Sequence, residues 1–214
     1  MKVGTDGVLV GAWARGGRHI LDIGCGTGLI ALMMAQRFPD AHIDGVEIDP
    51  DAARQACENV VASAFADRIG IHALPLQAFV PDQPYDAIVS NPPFFLNGLK
   101  NPDASRTLAR HAESLPYKAI LGFAGKWLNL RGELSVIIPS ELLEQFTTEA
   151  YMSGFYLSRK TILKTTLSKS PKRCLIAFSR QRKGEMETSE QYLLKKDGGR
   201  SEWYDSLTKG FYIR

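Results

Sequence analysis

The chain has 214 residues, 44% of them hydrophobic and 23% charged, with a formal net charge of +3. No apolar run approaches the length of a membrane span, and this composition at this size excludes a disordered polymer. It predicts one soluble domain over residues 1–214 with a full core of its own. Cys25, Cys57 and Cys174 are far apart with no CxxC pair, which excludes a thiolate zinc site and suits a reducing, cytoplasmic compartment. The opening Met1-Lys2-Val3-Gly4 lacks the basic-then-apolar pattern of a secretory signal.

His19–Ile23 is a short apolar run entering a glycine-rich turn, and 29–36 has the apolar spacing of a packed helix. A second strand is predicted at His42–Glu47, and a second helix over 52–62 with Arg54, Gln55 and Glu58 outward. A third strand follows at Ile69–Ala73. The fourth, Tyr85–Ser90, stops at Asn91-Pro92-Pro93, because two consecutive prolines cannot continue a ladder. After a polar loop at 97–107, the pattern predicts a helix over 117–130, a strand over 132–138 and a helix over 142–152. The last two strands, 155–163 and 174–178, have no room for a helix between them and should pair as an antiparallel hairpin. The polar stretch 184–200 is expected to be the most mobile. Such alternation predicts an α/β, Rossmann-like fold: a seven-stranded, mostly parallel sheet with helices on both faces and a C-terminal antiparallel hairpin.

The net charge conceals a local excess. Residues 1–158 carry twelve Lys and Arg against seventeen Asp and Glu, whereas 159–183 carry nine basic residues and no acidic one. These are Arg159, Lys160, Lys164, Lys169, Lys172, Arg173, Arg180, Arg182 and Lys183. They form either a solvated basic hairpin or a surface for a polyanion such as nucleic acid.

The turn Asp22-Ile-Gly24-Cys25-Gly26-Thr-Gly28 follows the first strand, where an open parallel sheet binds nucleotide-like ligands. Its spacing is GxGxG rather than the dinucleotide GxGxxG, and an acid precedes it. An acid suits a cation better than a phosphate. S-adenosylmethionine has no phosphate and carries an ammonium and a sulfonium, so it is the cofactor this turn fits; Glu47 is spaced to accept from both ribose hydroxyls. A purely structural tight turn is the alternative.

Asn91-Pro92-Pro93-Phe94 ends the fourth strand and so lies on the same carboxyl edge. An exocyclic amine or amide nitrogen is a poor nucleophile while its lone pair is delocalised. Accepting its two N–H bonds, through the Asn91 side-chain oxygen and the Pro92 carbonyl, localises that pair; Phe94 offers a flat surface for a base. Here too a rigid Pro-Pro turn is the structural alternative. His111 and the other histidines lack metal-ligand spacing, and no metal is expected.

With these motifs, and with Lys2-Val-Gly-Thr5-Asp6-Gly-Val8, Leu108-Ala-Arg110-His111 and Leu207-Thr-Lys-Gly-Phe-Tyr212, the chain resembles the class I S-adenosylmethionine-dependent methyltransferases that modify planar nitrogens. Among them it is most similar to the bacterial tRNA(Val) adenine-N6 methyltransferase family, whose members carry further residues ahead of the Lys2 segment. The resemblance implies a cofactor site at Lys2, Thr5, Asp6, Asp22, Gly24, Cys25, Gly26, Gly28, Glu47 and Leu76. Pro75 stands where an acid that binds the adenine amine is usual. It also implies catalysis at Asn91, Pro92, Pro93 and Phe94, and methyl transfer to the adenine 3′ of the anticodon. If the strand at 155–163 runs parallel to the rest, the basic loop lies on the ligand edge. Arg106, Arg110, Lys164, Lys169, Lys172 and Arg173 are then the candidate tRNA contacts of a monomeric enzyme. Methylation of a guanine N2 in ribosomal RNA, methylation of a glutamine in a release factor, and a non-catalytic RNA chaperone are the competing readings.

Overall fold

A computed structural model describes residues 4–93, 117–182 and 184–212. Helix α1 (Thr5–Trp13) is followed by β1 (His19–Ile23), α2 (Leu29–Arg37), β2 (His42–Glu47), α3 (Pro50–Val61), β3 (Ile69–Ala73), a 3-10 turn at Leu76–Ala78 and β4 (Tyr85–Ser90). Then come α4 (Tyr117–Trp127), β5 (Leu128–Pro139), α5 (Leu143–Met152), β6 (Tyr156–Thr166), β7 (Pro171–Ser179), β8 (Glu187–Leu194) and α6 (Glu202–Thr208).

The strands form one sheet in the order β3-β2-β1-β4-β5-β7-β6-β8. β1 to β5 are mutually parallel. β7 runs antiparallel to both β5 and β6. That double reversal returns β6 to the direction of β1–β5, and β8 runs parallel to β6. Every strand but β7 therefore delivers its carboxyl end to one rim.

Burial explains the sequence pattern. Ile20, Leu21, Ile23, Ala87, Ile88 and Val89 are all fully buried, giving the near-continuous apolar runs of parallel strands covered on both faces. One face packs Leu21, Ile88 and Val136 against Ile120 and Leu121 of α4 and Phe146 of α5. The other packs Ile20, Ala87 and Val89 against Val10 of α1, Met34 of α2 and Tyr204 of α6. Each large side chain so buried contributes about 2–3 kcal/mol. α1 lies close along α2: a Cβ on Gly11 would come within 3.0 Å of the Met33 sulfur, and one on Gly7 within 3.2 Å of Leu29. Arg37, at the far end of α2, donates to the Gly11 and Ala14 carbonyls at 2.7 Å each. The two helices thus run in the same direction, and α1 starts at the rim.

Several expectations are corrected. The sheet has eight strands, not seven, because 187–194 forms β8 within the stretch expected to be mobile. As an edge strand it has one partner and few apolar residues, so its alternation is faint; the Thr161 and Ser189 hydroxyls meet at 3.0 Å across the pair. The helix expected over 117–130 ends at Trp127, and β5 begins at Leu128. There Asn129 donates to the Asp86 carboxylate at 2.8 Å and ties the early strand to its neighbour. α1 and α6 were not expected. The terminal antiparallel hairpin is present, with both strands longer than predicted.

Candidate active site

Three residues of the glycine turn have backbone angles that favour glycine: φ is +69° at Gly24, +55° at Gly26 and +83° at Gly28. The Gly24 and Cys25 amides donate to the Val46 carbonyl at 2.8 and 3.1 Å, which folds the turn against the end of β2. Gly26 donates its amide to Glu47 Oε2 at 2.8 Å, while the Asp49 amide donates to Glu47 Oε1 at 2.9 Å. Two amides thus orient Glu47, and each half-buried oxygen retains a lone pair for a further donor.

Asp22 is wholly buried behind the turn. Its Oδ2 accepts from the Ala31 amide at 3.1 Å and secures the start of α2. Its Oδ1 has no hydrogen-bond partner among the described residues. Burial pushes its pKa up to about 8, against the Ala31 hydrogen bond and helped by the nearby Glu47 charge. A cation, or a donor, brought against Oδ1 would relieve an otherwise costly carboxyl. The Cys25 side chain turns inward, with its sulfur where a Cβ on Gly45 would come within 3.0 Å. Burial pushes its thiol pKa up as well.

β4 brings the second motif to the same place. Ser90 pairs with Ile23 across the parallel ladder, and the buried Ser90 hydroxyl donates to the Ile23 carbonyl at 2.8 Å. The next residues on the two strands are Asn91 and Gly24, so the proline-rigidified turn and the glycine turn open side by side. Asn91 is half-buried, Pro92 buried and Pro93 exposed. Ser90 went unnoticed in the sequence because nothing marks a serine at a strand end.

Thr5 and Asp6 also reach the rim, in the first turn of α1. Leu76 does not offer a surface: it is 2% exposed and belongs to the core beneath α4. Its 3-10 turn points it inward and leaves Pro75 and Gln77 exposed. Lys2, Phe94, Arg106, Arg110, His111 and Lys183 lie outside the described residues.

The basic segment divides on folding. Arg159 is buried, bonded to Glu133 at 2.6 and 3.2 Å, with its guanidinium 3.8 Å from the Trp13 ring centroid. Lys164 pairs with Glu190 on β8. Arg173 donates to Asp6 Oδ2 at 2.7 Å, and Arg180 to the Leu128 carbonyl at 3.3 Å. The segment that lacks acids in sequence finds them in space, at Glu133, Glu190 and Asp6. Lys169 and Lys172 remain exposed.

A family model described as the methyltransferase small domain matches residues 4–153. This chain belongs to that family. It is 44% identical over 218 residues to a Phocaeicola vulgatus protein named tRNA1(Val) (adenine(37)-N6)-methyltransferase, covering 100% of this chain and 91% of the relative. A Porphyromonas gingivalis protein of the same name is 46% identical over 186 residues, covering 82% and 73%. Among solved structures, one described as a predicted O-methyltransferase of Agrobacterium tumefaciens superposes with a TM-score of 0.76 at 15% identity, covering 98% of each chain. The glycopeptide N-methyltransferase MtfA, complexed with S-adenosyl-L-methionine, superposes with a TM-score of 0.61 at 11% identity, covering 82% and 95%. These two likenesses bear on the fold alone: class I methyltransferase, Rossmann-like.

Proposed function

We propose that this protein is an S-adenosylmethionine-dependent tRNA (adenine-N6)-methyltransferase acting on the adenine 3′ of the anticodon of tRNA(Val). The juxtaposition of Gly24 and Asn91, fixed by the Ser90 hydroxyl on the Ile23 carbonyl, carries this reading, because donor and acceptor loops must share one rim. Full-length identity above 40% to relatives of that name supports the substrate.

The residues present fit the cofactor. Gly24, Gly26 and Gly28 let a ligand approach the backbone, Glu47 keeps acceptor capacity for ribose hydroxyls, and the unpartnered Asp22 Oδ1 suits a cationic group. Thr5 and Asp6 stand at the rim for its amino-acid end. When bound, S-adenosylmethionine supplies a methyl group on a positively charged sulfur. Asn91 Oδ1 and the Pro92 carbonyl accept the two N–H bonds of the adenine amine, concentrating its lone pair toward that methyl. Pro92 and Pro93 hold these acceptors in place at little entropic cost, and Phe94 supplies the stacking surface. No ionisation of Asn91 is needed, since the methylated nitrogen loses its proton readily.

Such an enzyme works in the cytoplasm; no described helix is long and apolar enough to cross a membrane. Incubation with tRNA and methyl-labelled cofactor, followed by mass spectrometry of the nucleosides, is expected to yield N6-methyladenosine. N2-methylguanosine, label in protein glutamine, or no transfer overturns the assignment.

A further inference from the structure

The pairing of β8 with β6 brings together two basic segments far apart in the chain. β5 ends at Pro139, level with Arg173 of β7, which in turn faces Leu163 of β6. Above that level β6 continues from Lys164 to Thr166, and the chain returns through Pro171 and Lys172. β8 climbs alongside to Leu194, opposite Thr166. At about 3.3 Å per residue, these strand ends stand roughly 10 Å above the end of β5. Ser90, the residue before Asn91, is level with Val136 of β5, and β7 lies two strand spacings from β4, or roughly 10 Å. The three ends therefore form a ledge on the same rim, roughly 20 Å above Ser90 and roughly 10 to 20 Å to its side.

The ledge is cationic around an apolar tip. Leu167 is 62% exposed at the hairpin turn. Lys169 and Lys172 flank it, and Lys195 and Lys196 begin the turn that follows β8; all four are exposed. None of the four makes an ion pair among the described residues. Asp197 is the nearby acid, and its Oδ1 accepts from the Gly199 amide at 2.9 Å. Lys164 and Arg173, just below, are already matched to Glu190 and Asp6.

Free lysines around a hydrophobic tip suit a polynucleotide, with phosphates on the ammonium groups and a base or ribose face against the leucine. We propose that this ledge, built jointly from the β6–β7 hairpin and the Lys195-Lys196 turn, is the docking surface for the RNA strand flanking the target adenine. The proposal rests on the RNA-methyltransferase reading above. Lys195 and Lys196 then do what the sequence order assigned to Lys164 and Arg173.

The test titrates tRNA against the full chain and against Lys169→Ala/Lys172→Ala/Lys195→Ala/Lys196→Ala over a range of salt concentrations, with cofactor affinity as the control for folding. The expected result is tRNA affinity weakened at least roughly tenfold near physiological salt, a shallower dependence of affinity on salt, and unchanged cofactor affinity. Leu167→Ser alone is expected to weaken binding several-fold without changing the salt slope. If cofactor affinity shows that the quadruple variant is misfolded, Lys195→Ala/Lys196→Ala decides in the same assay. Native affinity and slope in the variants, with the native protein methylating tRNA, overturn the ledge. A native protein that neither binds nor methylates tRNA overturns the underlying reading instead.

Discussion

The Arg173 guanidinium donates to Asp6 Oδ2 at 2.7 Å and ties the first residues of β7 to the first turn of α1, across the rim where Asn91 lies. An ion pair this exposed adds little to stability, about 1 kcal/mol or less. Its consequence is positional: it holds Asp6, and the start of α1 with it, in register with the glycine turn.

Arg173→Ala is therefore expected to raise the KM for S-adenosylmethionine by up to roughly fivefold, the equivalent of about 1 kcal/mol for an ion pair this exposed, with kcat little altered. Arg173→Lys should recover part of the loss. Initial-rate kinetics at saturating tRNA check this; an unchanged KM with weakened tRNA binding would return Arg173 to the RNA surface.

Asn91→Ala removes the side-chain acceptor for the amine while leaving Pro92 and Pro93 in place. Methyl transfer should fall by roughly 100-fold or more, the usual effect of deleting one preorganised transition-state contact, and cofactor binding should stay as it was. Single-turnover transfer of labelled methyl, set beside a direct binding titration, separates the two effects. Retained transfer would remove Asn91 from the chemistry.

The buried Asp22 gives a pH signature. Burial raises its pKa from 3.8 to about 8, so between those values the folded chain keeps a proton that the unfolded chain has lost. Stability from this group is thus greatest at acid pH and declines as pH rises toward about 8. Asp22→Asn removes that dependence and can still accept from the Ala31 amide. Denaturant unfolding at about pH 5 and about pH 8 should show the variant gaining relative to the native chain, by at most about 1.4 kcal/mol per pH unit. Parallel pH profiles for the two proteins would contradict it.

Arg159 and Glu133 form a buried pair beneath Trp13. Arg159→Ala leaves the Glu133 carboxylate buried with its principal partner gone and should cost about 3–5 kcal/mol of stability. The double variant Arg159→Met/Glu133→Leu should recover most of it. Chemical denaturation measures both, and a single variant as stable as the native chain would show that the pair carries no such weight.

The parallel half of the fold was legible because strands buried on both faces read as apolar runs, and because the glycine turn and Asn91-Pro92-Pro93 mark strand ends by backbone chemistry. β8 was not legible: Glu187-Thr-Ser-Glu-Gln has a single partner strand and one wet face, so it reads as solvated chain. The ion pairs of the basic run were not legible for a related reason. Glu133, Glu190 and Asp6 lie 26 to 167 positions from the cations they meet, and no local window contains such pairs. Leu76 was named through the family resemblance alone, and no local pattern told that its turn directs it into the core.

The reversal at β7 separates two tasks within one sheet. On the proposed reading, bond-making is confined to loops that leave the uniformly directed strands, whereas the RNA-gripping surface is hung on the strands beyond the switch in direction. Rebuilding the outer hairpin could redirect the enzyme to a different stem-loop while the reaction centre stays as it is.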